Sequence, residues 1–204
     1  MNVKSKKDIE YVFYRLMRNE ISIKEFEKLI YDCAEIENVI GEDFYFTLIN
    51  LDYRDKFVID EVKKLIYPLI PYNIFEKERL ENILHDIIEK KCDLVEVLEQ
   101  LYYEYCDGYV FLRYLGMSYI SYCLDEIPKV SEKDKWNEQS FIKKRQLLDD
   151  LYIDIVDEAK RILKYLQRQE ILITSEYEYE DNRKYEDQIE SHSFNQMCKQ
   201  KKKR

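Results

Sequence analysis

One row of side chains in the sequence has a spacing that would suit a metal ion. Glu81, His85 and Glu89 recur at i, i+4 and i+8, so on a helix all three lie on one face, and carboxylates and imidazoles are common metal ligands. The apolar residues of the same segment lie on the opposite face, which leaves this row in solvent. Three collinear side chains also need further ligands from elsewhere to enclose an ion. The pattern therefore favours a solvated, salt-bridged helix face over a metal site.

Catalysis by a nucleophile lacks the residues that it needs. Within residues 1–174, His85 is the only imidazole that could activate a serine or a cysteine, and the chain has no GxSxG, HExxH or glycine-rich phosphate loop. Adjacent carboxylates such as Asp149 and Asp150 are frequent in so acidic a chain, so their adjacency does not indicate an acid–base pair. We predict a protein that is not an enzyme, with no catalytic residues, no cofactor and no metal.

Tyrosines are concentrated in the segment LYYEYCDGYVFLRYLGMSYISYCLDE, Leu101 to Glu126, which holds seven of the chain's 19 tyrosines. A tyrosine buries an apolar ring but its hydroxyl needs a partner, so such a cluster suits either a core hinge or a contact surface. The first interpretation is a helix–turn–helix hinge within the core. The second is an acid-flanked surface for a protein partner. For that surface we predict five contact residues: Asp107, Tyr109, Tyr114, Tyr119 and Asp125.

The overall composition predicts helices and a reducing compartment. The 204 residues include only three glycines and three prolines, and 37% of them are charged, which is typical of a helical chain with few tight turns. Five cysteines without CxxC spacing suit free thiols. No stretch has the length and apolarity of a signal peptide or a membrane span. The sequence therefore predicts a cytoplasmic protein that does not associate with membranes.

The negative charge lies in the part of the chain before residue 175. Of 42 acidic and 33 basic residues, residues 175–204 contain seven of each, which leaves 35 acidic and 26 basic residues in 1–174. An acidic body repels nucleic acid and attracts basic proteins. The charge therefore argues against nucleic-acid binding and predicts a protein partner with a basic surface. An acidic surface that serves only solubility is the other interpretation.

Capping residues and glycines mark where the predicted helices begin and end. Ser5 can cap a first helix, Ser22 opens a capping box before a second, and Asp93 starts a later one. Gly108 predicts a turn with positive φ, since glycine adopts that conformation without strain, and Gly116 predicts the close approach of another helix.

The C-terminal third of the chain is predicted to contain the longest helix. From about residue 138 to 168, apolar residues recur in steps of seven, four and three, which predicts one helix about 45 Å long. A brief β-like run, Ile171 to Thr174, is too short to support a sheet alone. From residue 175 onward the chain is polar, charged and without apolar period, which is typical of disorder.

These features predict an all-α fold, a compact bundle of about eight helices that ends in one long helix and carries a disordered, charged C-terminal tail. We predict a single helical domain over residues 1–174 and a disordered tail over 175–204.

Two stretches resemble a known group of proteins. IKEFEKLIYDCAEIENVIGEDFYFTLINLDY, residues 23–53, followed by LYYEYCDGYVFLRYLGMSY, residues 101–119, is similar to small all-helical immunity proteins encoded beside polymorphic or contact-dependent bacterial toxins. The resemblance spans residues 8–174 through scattered aromatic, glycine and acidic positions. The chain departs from the pattern at Ile40, where the group has leucine before glycine, and in the charged tail. No partner-contacting residue carries over from the group.

The resemblance implies a cytoplasmic bacterial protein that does no chemistry of its own. Together with the acidic body and the tyrosine-rich segment, it predicts an immunity-type protein that neutralises a cognate toxin by stoichiometric binding through an acidic, tyrosine-bearing surface. The alternative is a non-enzymatic helical adaptor or regulator that binds another cytosolic protein.

Overall fold

Helices make up most of the computed structural model, which describes residues 5–33, 35–124 and 126–189. Within these residues the chain forms eleven α-helices, several single turns of 3₁₀ helix, one π-helix and one two-stranded antiparallel sheet. The prediction of an all-α fold is confirmed. In the described part of the chain, no helix combines the length and the apolar character that crossing a membrane requires.

The contacts divide the chain into two units, residues 1–75 and 76–204, and the division falls within helix α6. The first unit contains, in chain order, α1 (Lys6–Met17), α2 (Ile23–Asp32), α3 (Glu35–Ile40), α4 (Glu42–Ile49), α5 (Val58–Ile66), a 3₁₀ turn (Tyr67–Leu69) and the first turn of α6 (Tyr72–Ile88). The prediction of a single domain over residues 1–174 stays a prediction.

Ser5 and Ser22 cap the first two helices, as predicted, and both form complete capping boxes. The Ser5 hydroxyl accepts from the Asp8 amide at 3.2 Å, and the Asp8 carboxylate accepts from the Ser5 amide at 2.9 Å. Ser22 and Glu25 exchange the same pair of bonds, at 3.2 and 2.7 Å. Each box satisfies amides that have no partner inside the helix. Gly41, with φ of +87°, separates α3 from α4.

Apolar residues on α1 form the centre of the first unit. Ile9, Val12, Phe13 and Leu16 are fully buried, and their spacing places them on one side of the helix. The ring of Phe13 lies 5.7 Å from that of Phe26 on α2, measured between centroids. The first unit is therefore built around an amphipathic helix whose capping and periodicity are both evident in the sequence.

The second unit continues from α6 with more helices and the sheet. Its elements are α7 (Leu94–Asp107), a 3₁₀ turn (Val110–Leu112), α8 (Arg113–Ser118), a π-helix (Tyr119–Cys123), a 3₁₀ segment (Val130–Lys135), α9 (Glu138–Arg145), α10 (Leu147–Gln167), β1 (Ile171–Ser175), β2 (Glu178–Asp181) and α11 (Tyr185–Ile189).

Asp93 joins three parts of the second unit. As predicted, it caps α7, because one carboxylate oxygen accepts from the Val95 amide at 3.2 Å. The same oxygen lies 2.9 Å from Nη1 of Arg145 on α9. The other oxygen accepts from the Val130 amide at 2.6 Å. One capping residue therefore also holds α9 and the loop before it.

Helices α7 and α8 pack at backbone distance around Gly116. A Cβ atom on Gly116 would lie 2.9 Å from the Cα of Tyr102 and 3.0 Å from the carbonyl oxygen of Leu101. Because both of these are backbone atoms of α7, no side-chain rotation relieves the clash. The predicted close approach at Gly116 is confirmed.

The long helix predicted over residues 138–168 is divided into α9 and α10. The break is at Gln146, whose carbonyl accepts from the Asp149 amide at 3.1 Å, a bond to the third residue on instead of the fourth. The prediction of one continuous helix is therefore wrong, because a single tighter turn at Gln146 separates α9 from α10. The 21 residues of α10 span about 30 Å, shorter than the predicted 45 Å.

Disorder from residue 175 onward is also wrong for residues 175–189. Strand β1 pairs with β2 in antiparallel fashion, from Ile171 opposite Asp181 to an irregular register after Ile173. Ile171 and Ile173 are buried in the hydrophobic core of the second unit, where β1 contacts α10. The remaining predicted tail, residues 190–204, lies outside the described residues.

A buried arginine fixes the end of the hairpin. Arg183 is 6% exposed and donates from Nε and Nη2 to the two oxygens of Asp181, at 2.8 and 2.6 Å. Its guanidinium lies 5.3 Å from the ring centroid of Tyr165 on α10, and the guanidinium of Arg161 lies 5.5 Å from the same centroid. Arg161 in turn forms a two-bond pair with Glu158. These planar contacts stabilise the hairpin against α10.

The packing at Gly116 predicts the sign of a substitution. In an open helix, Gly→Ala is stabilising, but here we expect Gly116→Ala to lower the free energy of unfolding by about 1–3 kcal/mol, because the α7 backbone must move. Urea unfolding measures this, with the exposed Gln139→Ala on α9 as control. A more stable Gly116→Ala protein would contradict the close approach.

The Asp181 carboxylate predicts a pH dependence of stability. Burial alone would raise the pKa of Asp181, but hydrogen bonds from Arg183 outweigh it and hold that pKa below its ordinary value. The ion pair therefore stabilises the fold above the pKa of the unfolded aspartate and ceases to do so as pH falls through the folded pKa. We expect Asp181→Asn to cost about 1 kcal/mol at pH 7, with the difference from wild type shrinking as the pH falls below about 4, the ordinary pKa of an aspartate.

Urea unfolding at a series of pH values checks this expectation. Asp154→Asn on the exposed side of α10 makes the same change of charge and serves as control. A deficit for Asp181→Asn that is constant from pH 7 to pH 3 would contradict the ion-pair explanation.

Candidate interaction surfaces

Tyr109, predicted as a partner contact, is an anchor for the hairpin. Its side chain is fully buried, and its ring centroid lies 5.4 Å from that of Tyr177 and 5.5 Å from that of Phe111. The hydroxyl donates to the carbonyl oxygen of Ser175 at 3.5 Å and accepts from the Tyr177 amide at 3.3 Å. Both the hydroxyl and the ring of Tyr109 therefore contact the hairpin, and the prediction that Tyr109 contacts a partner protein is wrong.

The glycine before Tyr109 allows the hairpin to approach. Gly108 has φ of +145°, as predicted for the turn, and a Cβ atom there would lie 2.6 Å from the carbonyl oxygen of Tyr177. A side chain would meet both backbone strain and a clash. The Asp107–Gly108 turn is therefore shaped to receive the hairpin.

The other four predicted contact residues differ in burial and position. Tyr114 is 1% exposed in the core of the second unit, so its contact prediction is also wrong. Tyr119 is 7% exposed, and its hydroxyl donates to Glu99 at 2.7 Å; what remains accessible lines a cavity. Asp107 is exposed at the end of α7, and its role stays a prediction. Asp125 lies outside the described residues.

The row of Glu81, His85 and Glu89 is a salt-bridged helix face, as predicted. His85 is exposed, Glu81 lies 3.7 Å from Nζ of Lys77, and Glu89 pairs with Lys91 beyond the end of α6. Among the residues that the structure describes, no three histidine, cysteine or acidic side chains are placed to hold a metal ion.

The first unit has a strongly acidic surface that the sequence analysis missed. Residues 25–53, here called the acidic segment, cover most of α2 and all of α3 and α4, and contain one basic residue, Lys28. The other residues of the first unit carry six acidic and ten basic side chains. The eight acidic residues of the segment are Glu25, Glu27, Asp32, Glu35, Glu37, Glu42, Asp43 and Asp52. The charge of this unit is therefore separated along the chain.

Tyrosine hydroxyls join the helices of the acidic segment into one surface. Tyr31 at the end of α2 donates to the carbonyl oxygen of Ile49 at the end of α4, at 2.9 Å. Tyr45 on α4 donates to the carbonyl oxygen of Ile30 on α2, at 3.3 Å. Both bonds satisfy carbonyls at helix ends. These two bonds hold α2 against α4 and so fix the positions of the two helices that carry five of the acidic residues.

Two aromatic rings stand out from this surface. Tyr31 is 54% exposed and Phe46 is 45% exposed, and five of the seven acidic side chains on α2 to α4 are exposed as well. Exposed aromatic rings surrounded by charges of one sign are typical of a protein-binding surface. The acidic segment, and not the turn at Tyr109, therefore matches the acidic and tyrosine-bearing surface that the sequence analysis sought.

The signal for this surface was present in the sequence as a local charge count. A charge count over the whole of residues 1–174 does not reveal it, because the basic remainder of the first unit offsets the acidic segment. Within it, the pKa of Glu25 is lowered by the hydrogen bond from the Ser22 amide, and that of Glu35 by a hydrogen bond from its own amide. These carboxylates are ionised at neutral pH and contribute fully to the negative surface.

The buried position of Tyr109 predicts a large effect on stability. We expect Tyr109→Phe to cost about 1 kcal/mol through the two lost hydrogen bonds and Tyr109→Ala about 3–5 kcal/mol through the cavity left behind. Urea unfolding measures both, and hydrogen exchange at the Tyr177 amide, which loses its acceptor, should accelerate in each variant. Tyr103→Ala, at an exposed ring on α7, should change stability by less than about 0.5 kcal/mol. Equal stability of Tyr109→Ala and wild type would contradict the anchor role.

No protein-family model, no curated protein and no solved structure matches the chain. The resemblance to immunity proteins therefore stays a prediction that rests on the motifs of residues 23–53 and 101–119.

Proposed function

We propose that this chain is an immunity-type protein that neutralises a cognate bacterial toxin by stoichiometric binding, and that the acidic segment receives a basic surface of the toxin. The toxin would be blocked by occupancy, with no reaction on either protein. The observation that carries the proposal is the charge of the acidic segment, eight acidic residues against one lysine, beside two exposed rings.

The chemistry of the surface supports a basic protein as the partner. Enzymes that act on nucleic acid present basic surfaces to a phosphate backbone, and an acidic protein that covers such a surface competes with the substrate. The rings of Tyr31 and Phe46 supply apolar contact area at the centre, and the carboxylates around them steer the approach. Binding of this kind needs no catalytic group.

Co-expression is the primary experiment. The chain is produced together with the toxin-like protein encoded beside its gene, and both the rescue of growth and the formation of a one-to-one complex are measured. Absence of rescue and of any complex would contradict the proposed function.

Neutralising two carboxylates tests the role of the acidic segment. We expect the double variant Glu42→Gln, Asp43→Asn to associate with the toxin about 3–10-fold more slowly at low salt, because steering depends on surface charge. The difference should disappear in about 1 M salt, where the screening length is about 3 Å. Stopped-flow or surface-binding kinetics measures the association rate, and thermal melting checks that the variant is folded.

A matched control variant is available on α10. Asp154→Asn with Asp157→Asn changes the net charge by the same amount at two exposed positions of the second unit. If both double variants slow association equally, net charge explains the effect and the acidic segment is not the contact surface. The proposed function would survive that result with a different surface.

Truncation separates the proposal from the alternative of a tail-dependent adaptor, but the cut must spare the hairpin. Deleting residues 175–204 would remove β2 and the partners of Tyr109, so it would damage the fold. Deleting residues 190–204 leaves all described elements in place. Under the proposal, this shorter protein protects fully against the toxin.

A further inference from the structure

A cavity of 390 Å³ lies in the second unit, beside the π-helix. Its walls come from α7, from the π-helix and from the loop that leads to α9. Leu124 and Pro128 supply apolar wall, and Glu99, Glu132 and Lys129 supply charge. The cavity has the size of a small binding site, and its lining combines apolar and charged side chains.

The π-helix is the first indication that this region has a role beyond packing. The amide of Leu124 donates to the carbonyl oxygen of Tyr119, five residues earlier, at 2.9 Å. Such wide turns are rare and occur often at functional sites, because an added residue alters which side chains face a neighbouring space. Tyr119 and Cys123, the first and last residues of the π-helix, both line the cavity.

A carboxylate at the cavity wall is already arranged to hold a cation. One oxygen of Glu99 accepts from the Tyr119 hydroxyl at 2.7 Å, and the other accepts from the ammonium group of Lys129. The hydrogen bond from Lys129 holds the pKa of Glu99 below its ordinary value, so the carboxylate is ionised. Each oxygen of an ionised carboxylate can accept a second hydrogen bond. The ammonium group of Lys129, a residue of the same chain, therefore occupies a position that would suit the cationic group of a ligand.

Trp136, the chain's only tryptophan, lies at the same cavity and is 37% exposed. An indole is the best aromatic partner for a cation, and a planar guanidinium both stacks on it and donates to carboxylates in pairs. The lining carries two carboxylates, Glu99 and Glu132, against one ammonium group, that of Lys129, and Glu132 also pairs at 3.2 Å with Nζ of the exposed Lys135. Aromatic ring and carboxylates together favour a guanidinium over a neutral or anionic group.

We propose that this cavity holds an arginine side chain of a partner polypeptide. The exposed apolar side chains of Leu124 and Val130, 42% and 53% exposed, adjoin the cavity or its loop and extend the contact to residues beside that arginine. Lys129 competes with the arginine for Glu99. The inference does not rest on the immunity function, because it concerns a different surface and a test without any toxin.

The probe is a tripeptide, acetyl-Leu-Arg-Leu-amide, and its control is the same peptide with citrulline, a neutral isostere of arginine. Binding to the full-length protein is followed through the single indole N–H signal in ¹H–¹⁵N NMR spectra, with Trp136 fluorescence as a second readout. We expect the arginine peptide to shift the indole signal and to bind at least about tenfold more tightly than the citrulline peptide, because charged hydrogen bonds are lost in the latter.

Variants of the lining residues give opposite expectations. Glu99→Gln removes the charge and should weaken the arginine peptide about tenfold, whereas Lys129→Met removes the internal competitor and should tighten it several-fold. Glu132→Gln provides a second test of the charge if Glu99→Gln does not fold. Asp134→Asn, an exposed change of charge in the same loop, should leave the affinity unchanged.

Three results would overturn the inference. Equal binding of the arginine and citrulline peptides, or no shift of the indole signal with either, would exclude a guanidinium site. Unchanged affinity in both Glu99→Gln and Glu132→Gln would exclude the role of the carboxylates. Free arginine amide that binds as tightly as the tripeptide would show that the rim adds nothing, and would replace the polypeptide partner with a small guanidinium compound.

Discussion

Close backbone contact around the C-terminal half of α7 is the constraint on which the second unit depends. On one side Gly116 lets α8 lie against the backbone of Tyr102, and at the end of the helix Gly108 lets the turn of the hairpin lie against the chain. Neither approach leaves space for a Cβ atom. The tyrosine-rich segment therefore fills the space between closely packed backbones, and most of its rings are packed in or against the core.

Much of this arrangement could be predicted from single residues in the sequence. Ser5, Ser22 and Asp93 cap helices because their side chains satisfy free amides, and the two glycines marked a turn and a contact. The break at Gln146 could not be predicted, because glutamine favours helices and the periodic spacing of apolar residues continues on both sides of it. The hairpin was not predicted because residues 175–204 were classified by their charge, although Tyr177 in the turn and Tyr179 in β2 alternate with charged residues, a pattern typical of a strand with one covered side.

The candidate surfaces were less predictable than the fold because they depend on which rings the fold leaves outside. Sequence composition indicated an acidic, tyrosine-bearing surface but assigned it to the densest tyrosine cluster, where burial was the stronger demand. The acidic segment has fewer rings, and the fold leaves two of them, Tyr31 and Phe46, exposed. Among the predicted contact tyrosines, Tyr119 reaches the cavity, where its hydroxyl donates to Glu99.

The hairpin also determines when the second unit can be completed during synthesis. The hydroxyl of Tyr109 bonds to groups 66 and 68 residues further along the chain, so its partners are made long after α7 and α8. Contacts of such separation form late, because the intervening chain must first close a large loop. Until residue 181 has been synthesised, the rings of Tyr109 and Phe111 lack their cover. A nascent or prematurely ended chain therefore exposes an aromatic surface of the kind that favours aggregation.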